Sequence, residues 1–343
     1  MQVFRGGRVP NWHNSHVAVG AFDGMHLGHQ ALIAKTVREA RTQRRKAVVL
    51  TFDPHPEALL RGRAPAVLTP EPERIERIGQ LGVDGVVVFP FTRRFAQLSA
   101  ESFVREVLGG QLRAAAVHVG FNFVFGKGGQ ATVWTLKELG QKCGIEVDVY
   151  PPVEVDGQVV SSTAIRRLLG EGEVELAGRM LGRDYAVEGQ VVRGEGRGHT
   201  LGFPTANLQT QTGLCLPATG VYAGWAEIEG ERWPALANIG VRPTFGQGER
   251  TVEIHLLDFT GDLYGEVLRF SFSLRLRDER AFATPGELVQ QIKEDAMLAR
   301  EFLQRRDART NDPLLIARRL VRGENTAGPS GAQTSRVSRP DKD

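Results

Sequence analysis

Residues 17–33 read VAVGAFDGMHLGHQALI. The stretch opens as a buried strand, closes as the start of a helix, and places Gly20, Gly24 and Gly28 in and beside the turn. A strand that is apolar on both faces and turns directly into a helix is the first half of a βαβ unit, at home in a parallel sheet covered on both sides. The segments that follow repeat the alternation. "KAVVLTF" (46–52), "DGVVVFPF" (84–91), "RAAAVHVG" (113–120) and "IEVDVYPP" (145–152) read as further strands. "HQALIAKTVREARTQR" (29–44) and "TPEPERIERIGQLG" (69–82) read as amphipathic helices between them. The first half is therefore expected to be an α/β, Rossmann-like parallel sheet, whose ligands sit outside the carboxyl ends of the strands.

The rhythm changes near Gly182–Arg183. A short helical segment, "SSTAIRRLLGEGEVELAGRMLG" (161–182), gives way to β-prone pieces separated by Gly and Pro turns: "YAVEGQVV", "GVYAGWAEIEG", "WPALANIG", "TVEIHLLDF" and "VLRFSFSLRLR". Such a run predicts an antiparallel barrel or sandwich. "TPGELVQQIKEDAMLAREFLQ" (284–304) then reads as a closing helix, and the polar "GENTAGPSGAQTSRVSRPDKD" (323–343) as a disordered tail. The expected division is 1–182, 183–322 and the tail 323–343, and the two halves share no repeat.

Composition narrows the function. With 343 residues, 41 % of them hydrophobic and 24 % charged, the chain has material for two soluble globular domains. Cys143 and Cys215 lie far apart with no CxxC context, which argues against a disulfide scaffold or structural zinc and fits a reducing, cytoplasmic setting. "MQVFRGGRVPNWHNSH" lacks an apolar signal core, and no stretch approaches the ~18 apolar residues of a membrane span. A pI near 9.0 invites a nucleic-acid reading. The charge is in the wrong place for it: residues 300–343 carry ten Lys or Arg against six Asp or Glu, which leaves residues 1–299 with a net charge of −1. No nucleic-acid partner and no membrane partner are expected.

The chemistry gathers at strand-to-helix turns. The first N–H groups of a helix are unpaired and its dipole is positive there, so the turn after "VAVGAF" suits phosphate. Gly28 lets a phosphate approach the backbone, while His26 and His29, at i and i+3, share one face and can donate to the same anion. Read alone, HxGH fits equally a helix cap followed by a surface histidine; its place after an apolar strand favours the anion site. "TFDPHP" (51–56) puts His55 at the end of the next strand, either bordering a cleft or in an ordinary turn. In "SSTAIRR", Ser161, Ser162 and Thr163 start a helix with Arg166 in its first turn. Capping explains the hydroxyls but not the arginine, which is unfavourable at a helix N-terminus unless an anion offsets it.

In the second half, "GRGHTLGFPTANL" (196–208) places Thr205 and Asn207 two residues apart on one strand face, where they could serve one Mg²⁺–nucleotide site. "NIGVRPTFG" (238–246) repeats the Pro-Thr pairing. Glu253 in "TVEIHLLDF" is opposite in facing to Ile254 and Leu256; the pattern alone favours a solvent face over a poised base.

Taken in order, "GAFDGMHLGHQ", "TFDPHP", "VGFNFVFG", "SSTAIR", "LGFPTANL", "NIGVRPTFG" and "VEIHLLDF" resemble the bacterial bifunctional riboflavin kinase/FMN adenylyltransferases, also called FAD synthetases, from about residue 16 to 307. The resemblance implies two steps: riboflavin and ATP give FMN and ADP, then FMN and ATP give FAD and pyrophosphate. It implies that His26 and His29 act in nucleotidyl transfer, with Gly20, Asp23, Gly28, Asn122, Ser162, Thr163 and Arg166 around the nucleotide. It implies a kinase Mg–ATP site at Gly202, Thr205 and Asn207, with Thr205 on the Mg²⁺, and makes Glu253 the base for the ribityl hydroxyl, against the pattern-based reading. ATP, riboflavin and FMN are thus expected as substrates, with Mg²⁺. Three positions depart from the family: Ala21 where Asn is common, His199 where Arg is usual, and a less regular "FGKGGQAT". A kinase with a degenerate HxGH module, or a flavin-sensing barrel without turnover, is the competing reading. Intact His26, His29 and Arg166 oppose the first and Glu253 beside Thr205 and Asn207 opposes the second.

Overall fold

The computed structural model describes residues 1–307 apart from 7, 10, 61, 63, 195–201 and 243–248. The proposed tail, His199 and "PTFG" of the second Pro-Thr loop lie outside the described residues.

Six parallel strands form the first sheet: β1 (Gln2–Phe4), β2 (Ser15–Val19), β3 (Ala47–Asp53), β4 (Gly85–Pro90), β5 (Ala114–Gly120) and β6 (Glu146–Tyr150), in the order β1-β4-β3-β2-β5-β6. The five strands read from the sequence are all present; β1 is too short to announce itself and only extends the edge beside β4. Alternate side chains feed two cores. Val17, Val19, Val48 and Leu50 pack with Val104, Leu108 and Leu136 on one face. Ala18, Val49, Val86 and Val88 pack with Leu32, Ile33, Ile75 and Ile78 on the other, beneath α1 (Leu27–Thr42) and α2 (Glu71–Gln80). Chain order reverses at β2, which pairs β3 on one side and β5 on the other. A crevice therefore opens at their carboxyl ends, where ligands bind in open α/β sheets.

Beyond α3 (Val133–Lys142) and β6, the hairpin strands β7 (Glu154–Val155) and β8 (Gln158–Val159) precede α4 (Ser162–Glu171) and α5 (Val174–Leu181). The sequence reads 161–182 as one short helical segment; the structure breaks it at Gly172, whose φ of 83° ends α4 in a left-handed cap.

The second half closes into a barrel in the order β10-β13-β12-β11-β14-β9. Its strands are β9 (Tyr185–Val192), β10 (Ala206–Thr210), β11 (Gly220–Ile228), β12 (Glu231–Arg242), β13 (Glu249–Leu256) and β14 (Val267–Arg277), with α6 (Pro285–Asp307) against the outside. Every pairing is antiparallel, which resolves the barrel-or-sandwich alternative. Alternation fills the interior with Tyr185, Val187, Tyr222, Ala237, Val252, Ile254 and Phe270. The same apolar cluster runs on through Val160, Ile165, Leu169, Met180 and Leu181 of the preceding segment. Helices α4 and α5 thus share a core with the barrel, although they precede residue 183. No helix among the described residues is long and apolar enough to cross a membrane.

Candidate active sites

A cavity of about 690 Å³ opens at the carboxyl ends of β2 and β5. It is lined by Gly20, His26, Gly28, His29, His55, Asn122, Ser162, Thr163 and Arg166, among others. The structure thus gathers residues that stand up to 146 positions apart in the chain. Of the nucleotide-site residues expected in the first half, only Asp23 is not on its wall.

Both readings of the HxGH turn hold for His26. It is the N-cap of α1: its extended φ and ψ of −69° and 169° let Nδ1 accept from the His29 N–H at 3.3 Å. It also lines the cavity, with its ring stacked on that of His29 at 3.5 Å between centroids and 18° between planes. Gly28 leaves room for that stack, since a Cβ there would come within 3.2 Å of the His26 ring. Phe22 meets His29 edge to face at 5.2 Å. Burial pushes the His26 pKa down to about 3, and the charges of Arg183 and Arg166 act in the same direction. His29 is lowered as well, first by removal from water, then by His26 and Arg74. Both imidazoles are therefore neutral at neutral pH. Because Nδ1 of His26 accepts a hydrogen bond, its proton resides on Nε2, which is left as the donor.

Asp23 works from behind. Its carboxylate, 3 % exposed, accepts from the N–H groups of Leu68 (3.1 Å) and Thr69 (2.9 Å) and forms an ion pair with Arg166. The anion that offsets Arg166 at the start of α4 is thus supplied by the protein itself. Arg166 Nε also donates to Ala66 O at 2.7 Å, so the guanidinium is fixed in the cavity wall. Ser161 caps α4 by accepting from the Ala164 N–H at 3.1 Å, and Ser162 Oγ donates to Asp23 O at 2.7 Å. His55 lines the cavity as well, its pKa lowered chiefly by burial.

The sequence reading missed Arg74, buried at 6 % exposure beneath the site. It also missed the aromatic wall of Phe52, Phe91, Phe95, Phe103, Phe123 and Phe125. For Phe91, Phe95, Phe123 and Phe125 the available signal was the density of Phe in "FPFTRRF" and "GFNFVFG". Away from the cavity, His16, His118 and Glu39 come close enough to hold a metal ion. A cation already stands beside them: Lys35 bonds Asp148 at 2.8 Å and lies 3.7 Å from Glu39.

On the barrel, register builds the second group. Asn207 of β10 is paired with Glu253 of β13, which is paired in turn with Asn238 of β12. Directly opposed residues share a face, so the three side chains form a row across three strands. Val252 and Ile254 are buried inside the barrel, so this row is on its outer surface, where Glu253 and Asn207 are half-buried rather than fully exposed. The segment after β9 passes close by: a Cβ on Gly194 would lie 2.2 Å from Asn207 Nδ2. Thr205 stands two residues before Asn207, just ahead of β10. His255 Nδ1 is 2.9 Å from Pro204 O and its ring meets Phe203 edge to face at 5.5 Å, which fixes the approach to Thr205. Gly202, with φ of 82°, is exposed in that approach. The connections 195–201 and 243–248 lie outside the described residues.

Comparison with known proteins divides the chain in the same way. The family described as FAD synthetase matches residues 9–164, and the one described as riboflavin kinase matches residues 181–303. A solved structure described as a macrolide-efflux protein from Streptococcus pneumoniae superposes with a TM-score of 0.81 at 32 % identity, over 88 % of this chain and 99 % of that one. The bifunctional riboflavin kinase/FMN adenylyltransferase of Bacillus subtilis (strain 168) is 38 % identical over 287 residues, 82 % of this chain and 90 % of its own. That of Escherichia coli (strain K12) is 37 % identical over 288 residues, 83 % of this chain and 92 % of its own. With both halves matched in order and nearly the whole length of each relative covered, the chain belongs to the family of bifunctional riboflavin kinase/FMN adenylyltransferases.

Proposed function

We propose that this chain converts riboflavin to FMN on the barrel and FMN to FAD in the cavity of the parallel sheet, with ATP as the second substrate of both steps. The observation that carries the reading is the stacked His26–His29 pair at a helix N-terminus, in one cavity with Arg166 and a wall of phenylalanines. The N–H groups, the Nε2–H of His26 and the guanidinium suit a triphosphate, and the aromatic wall suits a flat flavin ring.

In adenylyl transfer a phosphate oxygen of FMN attacks the α-phosphorus of ATP, the new P–O bond forms in line, and pyrophosphate leaves with the bridging oxygen. No covalent intermediate is needed; alignment and stabilisation of the departing charge do most of the work. The bound triphosphate offsets the cationic field of Arg166, Arg183 and Arg74. This raises the proton affinity of both imidazoles, while the Nε2–H of His26 remains available to donate to the departing pyrophosphate.

In riboflavin phosphorylation the terminal ribityl hydroxyl attacks the γ-phosphorus of ATP, its proton passes to the Glu253 carboxylate, and ADP leaves. The base contributes roughly 10²–10⁴-fold. Asn207 Oδ1, on the face shared with Glu253, and Thr205 Oγ1 just before it are hard oxygen donors that would hold Mg²⁺. When bound, Mg²⁺ neutralises charge on the transferring phosphates. Glycine at 194 leaves the Asn207 amide the room that a Cβ would take.

The test is direct: incubate the chain with riboflavin, ATP and Mg²⁺ and separate the flavins. FAD formed from riboflavin is the expected result; FMN alone would mean a kinase with a silent cavity, and unchanged riboflavin would overturn the reading.

A further inference from the structure

The turn that presents His26 and His29 is strained. Phe22, Gly24 and Met25 have φ of 54°, 87° and 43°, a region that a side-chain-bearing residue adopts only under strain. Such a turn persists only where its surroundings over-determine it. Here the surroundings are hydrogen bonds to its carbonyls. Phe22 O accepts from the Met25 N–H at 3.2 Å, Asp23 O from Ser162 Oγ, and Met25 O from Gln30 Nε2 at 2.7 Å. The remaining donor is Arg183. Its Nη2 donates to Gly24 O at 2.9 Å and to Thr69 Oγ1 at 3.2 Å; its Nη1 reaches Met25 O and Leu181 O, each at 3.4 Å.

Arg183 enters from far along the chain, between the end of α5 and the start of β9. Gly182 before it packs so closely that a Cβ would meet Leu27 Cδ2 at 2.7 Å. The four hydrogen bonds of the guanidinium go to neutral oxygens, so its positive charge is not cancelled by them and acts on His26.

We propose that Arg183 is a positioning residue for adenylyl transfer: its forked guanidinium holds the Phe22–Met25 turn, and through it the two imidazoles, from the barrel side of the junction. The proposal rests on the assignment of adenylyl transfer to this cavity. It couples the halves in one direction, since Arg183 stands apart from the Asn207–Glu253–Asn238 row and the barrel face does not depend on it for a catalytic group.

The experiment compares Arg183→Met and Arg183→Lys with the parent in the full chain, measuring FMN adenylylation and riboflavin phosphorylation on the same preparations. In Arg183→Met, kcat for FAD formation should fall roughly 10- to 100-fold, as misplacement of a reacting group by about 1 Å does. KM for ATP should change less, and FMN formation from riboflavin should persist. Lysine keeps the charge but not the fork, so kcat should fall in Arg183→Lys as well. The His26 pKa, followed by imidazole ¹⁵N shifts, should rise in the methionine variant and stay low in the lysine one. The groups facing that imidazole are Arg183 from the junction, Arg166 from α4 and His29 from α1. Unchanged FAD formation in Arg183→Met overturns the proposal. So does an equal fall in both activities, which would mark a purely structural role. His29→Ala is assayed alongside: if that variant still makes FAD, the assignment of the cavity fails, whatever Arg183 does.

Discussion

His26 serves as a helix cap and as a cavity-wall donor, and one consequence is that its charge state is tied to stability. Its folded pKa is held at about 3 while the unfolded chain titrates near the ordinary 6.5. Between those values the unfolded state binds a proton that the folded state refuses. Stability is therefore complete above pH 6.5 and falls as the pH drops through the window, by at most ~1.4 kcal/mol per pH unit for each such imidazole. His29, His16, His55 and His255 shift in the same direction. Urea unfolding between pH 7 and 5 should show this slope, and His26→Asn, which retains a cap acceptor, should make it shallower. An unaltered slope would show that His26 is charged in the folded chain. Catalysis separates the sites further. His29→Ala should lower FAD formation by roughly 10²-fold or more, as loss of a group stabilising transition-state charge does, with riboflavin phosphorylation retained. Glu253→Gln should do the reverse, removing the proton acceptor while FMN supplied directly is still converted to FAD. Parental kinase rates in that variant would leave the carboxylate as an ordinary outer-face residue.

At the scale of elements, the sites depend on contacts between turns. Asp23 joins the β2–α1 turn to the Leu68–Thr69 backbone and to Arg166 of α4. Asp23→Asn would leave the half-buried Arg166 guanidinium without its counter-ion and should destabilise the fold by less than the ~3 kcal/mol of a fully buried pair. FAD formation should fall with the displacement of Arg166 while FMN formation survives; a lower unfolding free energy with both activities intact would mean Arg166 has no part in the chemistry. This contact marks the boundary of what was legible. Strands buried on both faces, the helix starts and the barrel strands carry their periodicity in the sequence, so β2–β6 and most of the barrel could be read off it. The motif glycines and histidines were legible because the turn chemistry is local. The partner of Arg166 was not: Asp23 and Arg166 are 143 residues apart, and no local pattern says that one neutralises the other. Glu253 is legible only in part. Alternation puts it outside the barrel, but only cross-strand register shows that it is flanked by Asn207 and Asn238. Register across three strands is not contained in any one of them.

For the whole molecule, the chemistry and the packing divide at different places. We propose that the functional boundary falls at 182/183, with His26, His29 and Arg166 on one side and Thr205, Asn207 and Glu253 on the other. The apolar core does not respect that boundary. Met180 and Leu181 of α5 and Ile165 and Leu169 of α4 are buried in the same cluster as Tyr185 and Phe270 of the barrel. Val67, in the segment after β3, hydrogen-bonds Gly213 and Cys215 at 2.8 Å each, and Arg269 of β14 pairs with Glu73 of α2 at 2.9 Å. A fragment of residues 183–322 keeps the complete barrel and α6, so it should fold and make FMN but never FAD. It also exposes the surface that α4 and α5 cover. Each large apolar side chain removed from that contact gives up roughly 1.5–3 kcal/mol of burial at most. For a unit of this size even 1 kcal/mol shifts Tm by about 2–8 °C. A fragment of residues 160–322 restores both helices and should melt higher than 183–322, with the same kinase activity and still no FAD. Thermal unfolding of the two fragments beside riboflavin phosphorylation decides the matter. Equal melting temperatures would show that the helices belong to the parallel-sheet half, and a folded 183–322 fragment without kinase activity would show that the barrel site draws on residues before 183.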